Sequence, residues 1–167
     1  ESYIVFGKPG GATVELSGIR AGQGGFAILG AAAGDRSGST VSGAGDVNGD
    51  GLADIVIAPG YIVFGKSDVR AVDLSDVEAG RGGFAIRGEG PLVAGAGDVN
   101  GDGLADIVIS NGATQCFVVF GKPDASAVEL ADLEAGRGGF EIRGIPDIQR
   151  VGSSVAGGGD LNGDGLA

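Results

Sequence analysis

The chain has 167 residues, 37 of them glycine, and carries a formal net charge of −11 with no histidine. So much glycine without a Gly-X-Y period argues for many turns and against both collagen and long helices. The acidic balance excludes a phosphate-gripping nucleic-acid surface, which needs clustered Lys and Arg, and the missing histidine rules out Ser-His-Asp and Cys-His catalytic sets.

Taken in order, the chain is a succession of recurring runs. Tyr3-Ile-Val-Phe-Gly-Lys8 opens it and returns as Tyr61–Lys66 and Phe117–Lys122. Gly24-Gly-Phe-Ala-Ile-Leu-Gly30 returns as Gly82–Gly88 and Gly138–Gly144. The spacing from Phe6 to Phe26 equals that from Phe64 to Phe84 and from Phe120 to Phe140, so the runs follow a ruler. Between the two runs of each unit lies a segment such as Val72–Gly80 or Val128–Gly136. Ser75 is expected to cap a single helical turn there, ended by Gly80, and no longer helix is expected. Arg81 and Arg137, each before Gly-Gly, read as turn residues. Cys116 opens the apolar run to Phe120 and reads as a buried strand residue; with one cysteine no intrachain disulfide is possible.

Each unit also carries an acidic loop. Asp98-Val-Asn-Gly-Asp-Gly-Leu-Ala-Asp106 places oxygen-bearing side chains at its first, third, fifth and ninth positions: Asp98, Asn100, Asp102 and Asp106. The first copy has Asp46, Asn48, Asp50 and Asp54; the third has Asp160, Asn162 and Asp164. The seventh position is Leu52, Leu104 or Leu166, which can offer only its backbone carbonyl. Calcium takes six to eight oxygen ligands of these kinds at about 2.3–2.6 Å. Carboxylates gathered round one point repel unless a cation lies between them, so calcium is the expected ion and these residues its expected ligands. A plain Asx-turn loop is the alternative for any single copy, and recurrence weighs against it. An EF-hand needs a Glu at the twelfth position between helices; here Ile57 and Ile109 stand there. Magnesium prefers fewer protein ligands.

Four short Val-, Ile- and Phe-rich runs per unit, bounded by Gly, Asp or Pro, read as four antiparallel strands. Such units repeated in series read as all-β blades of a β-propeller, none stable alone. The chain resembles the FG-GAP repeats of the integrin alpha-subunit propeller, in a bacterial-type version. The resemblance rests on residues 41–59 and 93–109, and on 153–165 as far as they go. It implies that the run before each acidic loop is the innermost strand, with the calcium loop joining it to the second strand. Departures are Ser37-Gly38 and Val151-Gly152 where the family has Phe-Gly, and Ala58-Pro59-Gly60 and Ser110-Asn-Gly112 where it has Gly-Ala-Pro.

The expected units are residues 1–37, the third and fourth strands of one blade; 38–89 and 90–152, two blades with the first and second calcium loops; and 153–167, the start of a further blade with a truncated third loop. An incomplete propeller is therefore expected, completed by blades of a longer chain or of another copy. Two spacings fall short of the ruler, near Gly60-Tyr61 and Glu89-Gly90, and read either as loop deletions or as places where residues of a longer polypeptide are missing. No secretory leader and no membrane-spanning apolar run is visible.

The expected function is that of a calcium-binding propeller segment of an extracellular or cell-surface protein, in adhesion or recognition, with a protein or glycan ligand. A repeat unit of a surface layer or filament is the second reading, and an accessory domain of a secreted hydrolase or lyase the third. Catalysis is not expected: Glu15, Asp73, Glu78, Glu129 and Glu134 recur at matching positions, as a solvated face would, and form no evident pair.

Overall fold

The structure is a computed structural model that describes residues 1–88, 90–112, 114–144 and 151–167. In chain order the elements are β1 (Ser2–Val5), α1 (Leu16–Arg20), β2 (Gly25–Leu29), β3 (Val41–Gly45), β4 (Asp54–Ile57), β5 (Tyr61–Val63), β6 (Val72–Asp73), α2 (Leu74–Glu78), β7 (Gly83–Arg87), β8 (Leu92–Gly97), β9 (Asp106–Ser110), β10 (Gln115–Val119), β11 (Val128–Glu129), α3 (Leu130–Glu134) and β12 (Gly139–Arg143). The β-branched runs become strands, and glycine ends nearly every one.

These strands form three open sheets, none closed into a barrel: β1-β2-β6, β11-β7-β5-β4-β3 and β12-β10-β9-β8. Within each sheet the sequential strands are antiparallel, as the four-run reading expects. The architecture is all-β and propeller-like. β6 and β11 were not foreseen as strands. Each leaves its own repeat and pairs in parallel with the outermost strand of the sheet before it: Val72 opposite Ile28, and Val128 opposite Ile86. Each pairing stitches two sheets together.

The segment after each stitch is a five-residue helix rather than one turn. Asp73, not Ser75, caps α2: its carboxylate accepts the Ser75 N–H at 2.9 Å. An Asp just ahead of the helix reaches back to the open N–H groups, as a Ser inside it does not. Gly80, at φ 75°, ends the helix as expected. Gly80 N–H donates to the Val77 carbonyl and Arg81 N–H to that of Asp76, satisfying two otherwise open carbonyls. Arg81 and Arg137 are turn residues, paired with Asp76 and Asp132. Cys116 is buried in β10, and burial raises its thiol pKa.

The core lies between sheets. Val56, Ile62, Phe84 and Ile86 of one sheet pack with Val93, Ile107, Ile109 and Phe117 of the next. Phe26 and Ile28 pack with Ile57, Val63 and Leu74. Burying one such side chain stabilises by about 1.5–3 kcal/mol, so a sheet without its neighbour loses most of its stabilisation. β3 and β8 lie side by side, and glycine makes this possible: a Cβ on Gly95 would stand 2.5 Å from the Gly43 carbonyl oxygen. β4 and β5 join through Ala58-Pro59-Gly60 alone, with Ile57 opposite Tyr61, so the short spacing there makes a tight hairpin. In the other short spacing, Glu89 lies outside the described residues.

Candidate metal centre

Each complete acidic loop runs from the end of an edge strand into the first residue of its neighbour, from β3 to β4 and from β8 to β9. This is the connection the resemblance implies. The loop is shaped by its own carboxylates. Asp46 Oδ1 accepts the N–H groups of Gly49 and Asp50 at 2.7 and 3.1 Å, and Oδ2 that of Gly51 at 2.8 Å. Asn48 Oδ1 accepts the Asp50 N–H, and Asn48 Nδ2 donates to Asp50 Oδ2 at 3.0 Å. Asp50 Oδ1 accepts the Leu52 N–H at 2.8 Å.

The second loop repeats this atom for atom through Asp98, Asn100, Asp102 and Leu104. So does the third through Asp160, Asn162, Asp164 and Leu166. Backbone N–H groups donating to Asp160 and Asp164 hold both carboxyls below the usual carboxylate range.

The ninth position is placed differently. Asp54 and Asp106 are 1 % and 0 % exposed at the first residue of β4 and β9. Asp54 accepts the Val47 N–H at 2.8 Å with one oxygen and the Gly65 N–H at 2.7 Å with the other. Asp106 does the same with Val99 and Gly121, both at 2.8 Å. Burial raises both pKa values, against the pull of those hydrogen bonds. The charges of Asp50 and Asp46 push Asp54 further up, and Asp102 does so to Asp106.

The first, third and fifth side chains are thus joined in one hydrogen-bonded set, and the ninth is felt electrostatically. Among the described residues no group of three or more His, Cys, Asp or Glu stands at metal-holding spacing. The donor chemistry is that of a hard cation: every side-chain donor is a carboxylate or amide oxygen. Each carboxylate also retains acceptor capacity: Asp50 accepts one bond on each oxygen, and an ionised carboxyl offers about four lone-pair sites. In donor chemistry, though not in carboxylate spacing, the residues suit calcium, and Asp46, Asn48, Asp50, Asp54 and the Leu52 carbonyl, and their equivalents, are those that would hold it.

The loops are also chained. Ala105 N–H, in the second loop, donates to the Asp46 carbonyl of the first at 2.9 Å, and Ala167 N–H to that of Asp98 at 2.8 Å. Leu104 lies over Gly49, and Leu166 over Gly101. Residues 37–74 and 90–128 each match the FG-GAP repeat. These two segments are FG-GAP repeats. Each match begins just before the inner edge strand and ends at the stitch. No curated protein and no solved structure matches the chain.

Sequence reasoning missed the role of Gly-Lys in the FG-GAP repeats. Gly65 and Gly121 give their N–H groups to the buried aspartates. Lys66 Nζ sits 4.5 Å from the ring centre of Phe26, and Lys122 Nζ 4.4 Å from that of Phe84, each across a sheet boundary. The recurring Phe-Gly-Lys was the available signal. A groove of about 550 Å³ along β1 is lined by Ile4, Ile28, Val41 and Ile57, with Glu1 its one charged residue. It contains no acidic-loop residue.

Proposed function

We propose that the chain is a calcium-stabilised β-propeller segment of an extracellular or cell-surface protein that serves adhesion or recognition. One observation carries this reading: three acidic loops of identical hydrogen-bonding pattern, built from oxygen donors alone, are linked backbone to backbone from one repeat to the next. A bound cation would offset the mutual repulsion of the carboxylates and hold each inter-strand connection rigid, so its role is structural. FG-GAP repeats are found in integrin alpha-like extracellular proteins, where millimolar calcium fills even sites of about 10⁻⁴–10⁻³ M. Among the described residues no helix is long and apolar enough to cross a membrane.

The partners in this reading are neighbouring blades, from a longer chain or another copy, and a protein or glycan ligand held by other loops. Nucleic acid is not among them. No catalytic role is proposed. Three of the carboxylates recurring outside the loops have structural uses: Asp73 caps α2, Glu129 pairs with Arg87 at 3.2 Å, and Glu134 accepts from Gln115.

Calcium titration of the metal-free chain, followed by calorimetry, tests the reading. At least two ions should bind per chain, and Asp46→Ala with Asp98→Ala should remove them. No binding at millimolar calcium would refute it.

A further inference from the structure

Every asparagine of the chain is followed by glycine: Asn48-Gly49, Asn100-Gly101, Asn111-Gly112 and Asn162-Gly163. In such a pair the glycine backbone nitrogen can lose its proton and attack the asparagine Cγ. The Cγ–N bond of the side-chain amide then breaks, ammonia leaves with that proton, and a cyclic imide joins the two residues. Water opens the imide at either carbonyl and gives aspartate or isoaspartate. Glycine favours the ring, because no Cβ obstructs the approach to its nitrogen.

The acidic loops tie down both reacting groups. Gly49 N–H donates to Asp46 Oδ1 at 2.7 Å. Asp50 holds both ends of the Asn48 amide: its N–H donates to Oδ1 at 2.9 Å, and its carboxylate accepts from Nδ2 at 3.0 Å. Gly101 and Asn100 are held alike, by Asp98 at 2.7 Å and by Asp102 at 2.9 and 2.8 Å. Ring closure requires the amide to turn and the glycine nitrogen to give up its proton, so a loop must open before it can react.

A second guard comes from the following repeat. A Cβ on Gly49 would stand 3.0 Å from Leu104 Cδ2, and one on Gly101 would stand 2.9 Å from Leu166 Cδ2. Each leucine therefore lies over the glycine that would attack. Asn111 differs. It sits between β9 and β10, its Gly112 N–H donates to the Ser110 hydroxyl at 3.0 Å, and the side chain nearest that glycine, Leu92, belongs to the same repeat.

We infer that Asn48 and Asn100 are latent modification sites, unreactive while their loops are closed and converted to aspartate and isoaspartate when they open, with Leu104 and Leu166 as their guards. Isoaspartate runs the backbone through the former side chain and lengthens it by a methylene. The oxygen donors on either side of it then no longer alternate, so the loop cannot close as before. Loss of ammonia makes the change one-way, and a repeat that has loosened from its neighbour keeps a permanent record of it. The reaction uses water alone, so the inference stands or falls apart from the calcium reading.

Peptide mapping by mass spectrometry of the metal-free chain, incubated at neutral pH in EDTA, tests it. In the folded chain Asn48 and Asn100 should deamidate at least about tenfold more slowly than in the chain unfolded in guanidinium chloride. Leu104→Ala should speed the loss at Asn48 several-fold and leave Asn111 at its parent rate. Leu166→Ala, at an exposed position, should do the same to Asn100. Asn111 reports whether a variant has loosened as a whole, and circular dichroism checks its fold. Equal rates in the folded and unfolded chain would overturn the inference. So would leucine variants that leave Asn48 and Asn100 at their parent rates, or that speed Asn111 as much.

Discussion

The backbone N–H of Ala105 donates to the carbonyl of Asp46 at 2.9 Å, so the second acidic loop hangs directly on the first. Ala167 repeats the bond to Asp98 one unit on. A loop that loses its shape therefore disturbs the next. Asp98→Ala removes the acceptor for Gly101, Asp102 and Gly103. It should lower stability by about 1–3 kcal/mol in urea unfolding even with EDTA present. It should also weaken calcium binding at the first loop, whose residues it leaves intact. Titration of the first loop's ion in this variant reads the coupling, and unchanged affinity there would mean the loops act independently.

The pH response of the metal-free chain should be inverted relative to ordinary acid denaturation. Asp54 and Asp106 have pKa values raised above the ordinary 3.8 by burial. Between 3.8 and their raised values the folded state holds more protons than the unfolded one, so stability falls as pH rises through that window. Asp35, Asp68 and Asp73 are lowered by hydrogen bonds and act below 3.8, where acid removes their contribution. In EDTA, acidifying from neutrality towards that value should thus raise the urea midpoint. In calcium the trend should reverse, because protons then compete with the ion. Urea melts at several pH values in both buffers check the sign.

Gly121 is fixed by sterics at the point where two repeats meet. A Cβ there would stand 2.6 Å from the Ala105 carbonyl oxygen and 2.8 Å from that of Val47. Both are backbone atoms, so neither can swing aside. Gly121→Ala should destabilise by about 1–3 kcal/mol and also weaken the Gly121 N–H bond to Asp106. Gly82→Ala, where nothing lies within 4 Å but φ is 70°, gives a comparison in which only backbone strain acts.

Lys122 links a loop to the neighbouring sheet. Its ammonium lies 4.4 Å from the Phe84 ring centre and bonds Asp124 at 2.7 Å. Lys122→Met keeps the stem and removes the charge. It should cost about 0.5–1 kcal/mol from the ring contact, and most of that loss should persist at high salt, because the ammonium is mostly covered.

Much of this fold was legible because the chain repeats itself. The Phe64–Phe84 spacing marks an edge-to-face ring pair with centroids 6.0 Å apart, and Phe6–Phe26 and Phe120–Phe140 repeat it at 6.1 and 5.9 Å. The acidic loops were legible as inter-strand connections because the same Asp, Asn and Gly pattern recurs between apolar runs. The stitches at Val72-Asp73 and Val128-Glu129 were not, since two residues cannot show a period and their partners lie in another repeat. The cap on α2 was misread by two residues because Asp73 and Ser75 are both good caps, and only geometry tells which one reaches the open N–H. The burial of Asp54 and Asp106 was hidden because a carboxylate at a ligand position looks solvent-facing in sequence, and its backbone donors Gly65 and Gly121 are more than ten residues away.

The most direct test of the calcium reading is the thermal melt of the chain in millimolar calcium and again in excess EDTA, with magnesium as the control. Ion at a hundred times its dissociation constant adds about 2.7 kcal/mol per site. Two or more sites should therefore raise the midpoint by many degrees in calcium and far less in magnesium. Identical melts in calcium and EDTA would contradict the account and leave the acidic loops as turns held by their own hydrogen bonds.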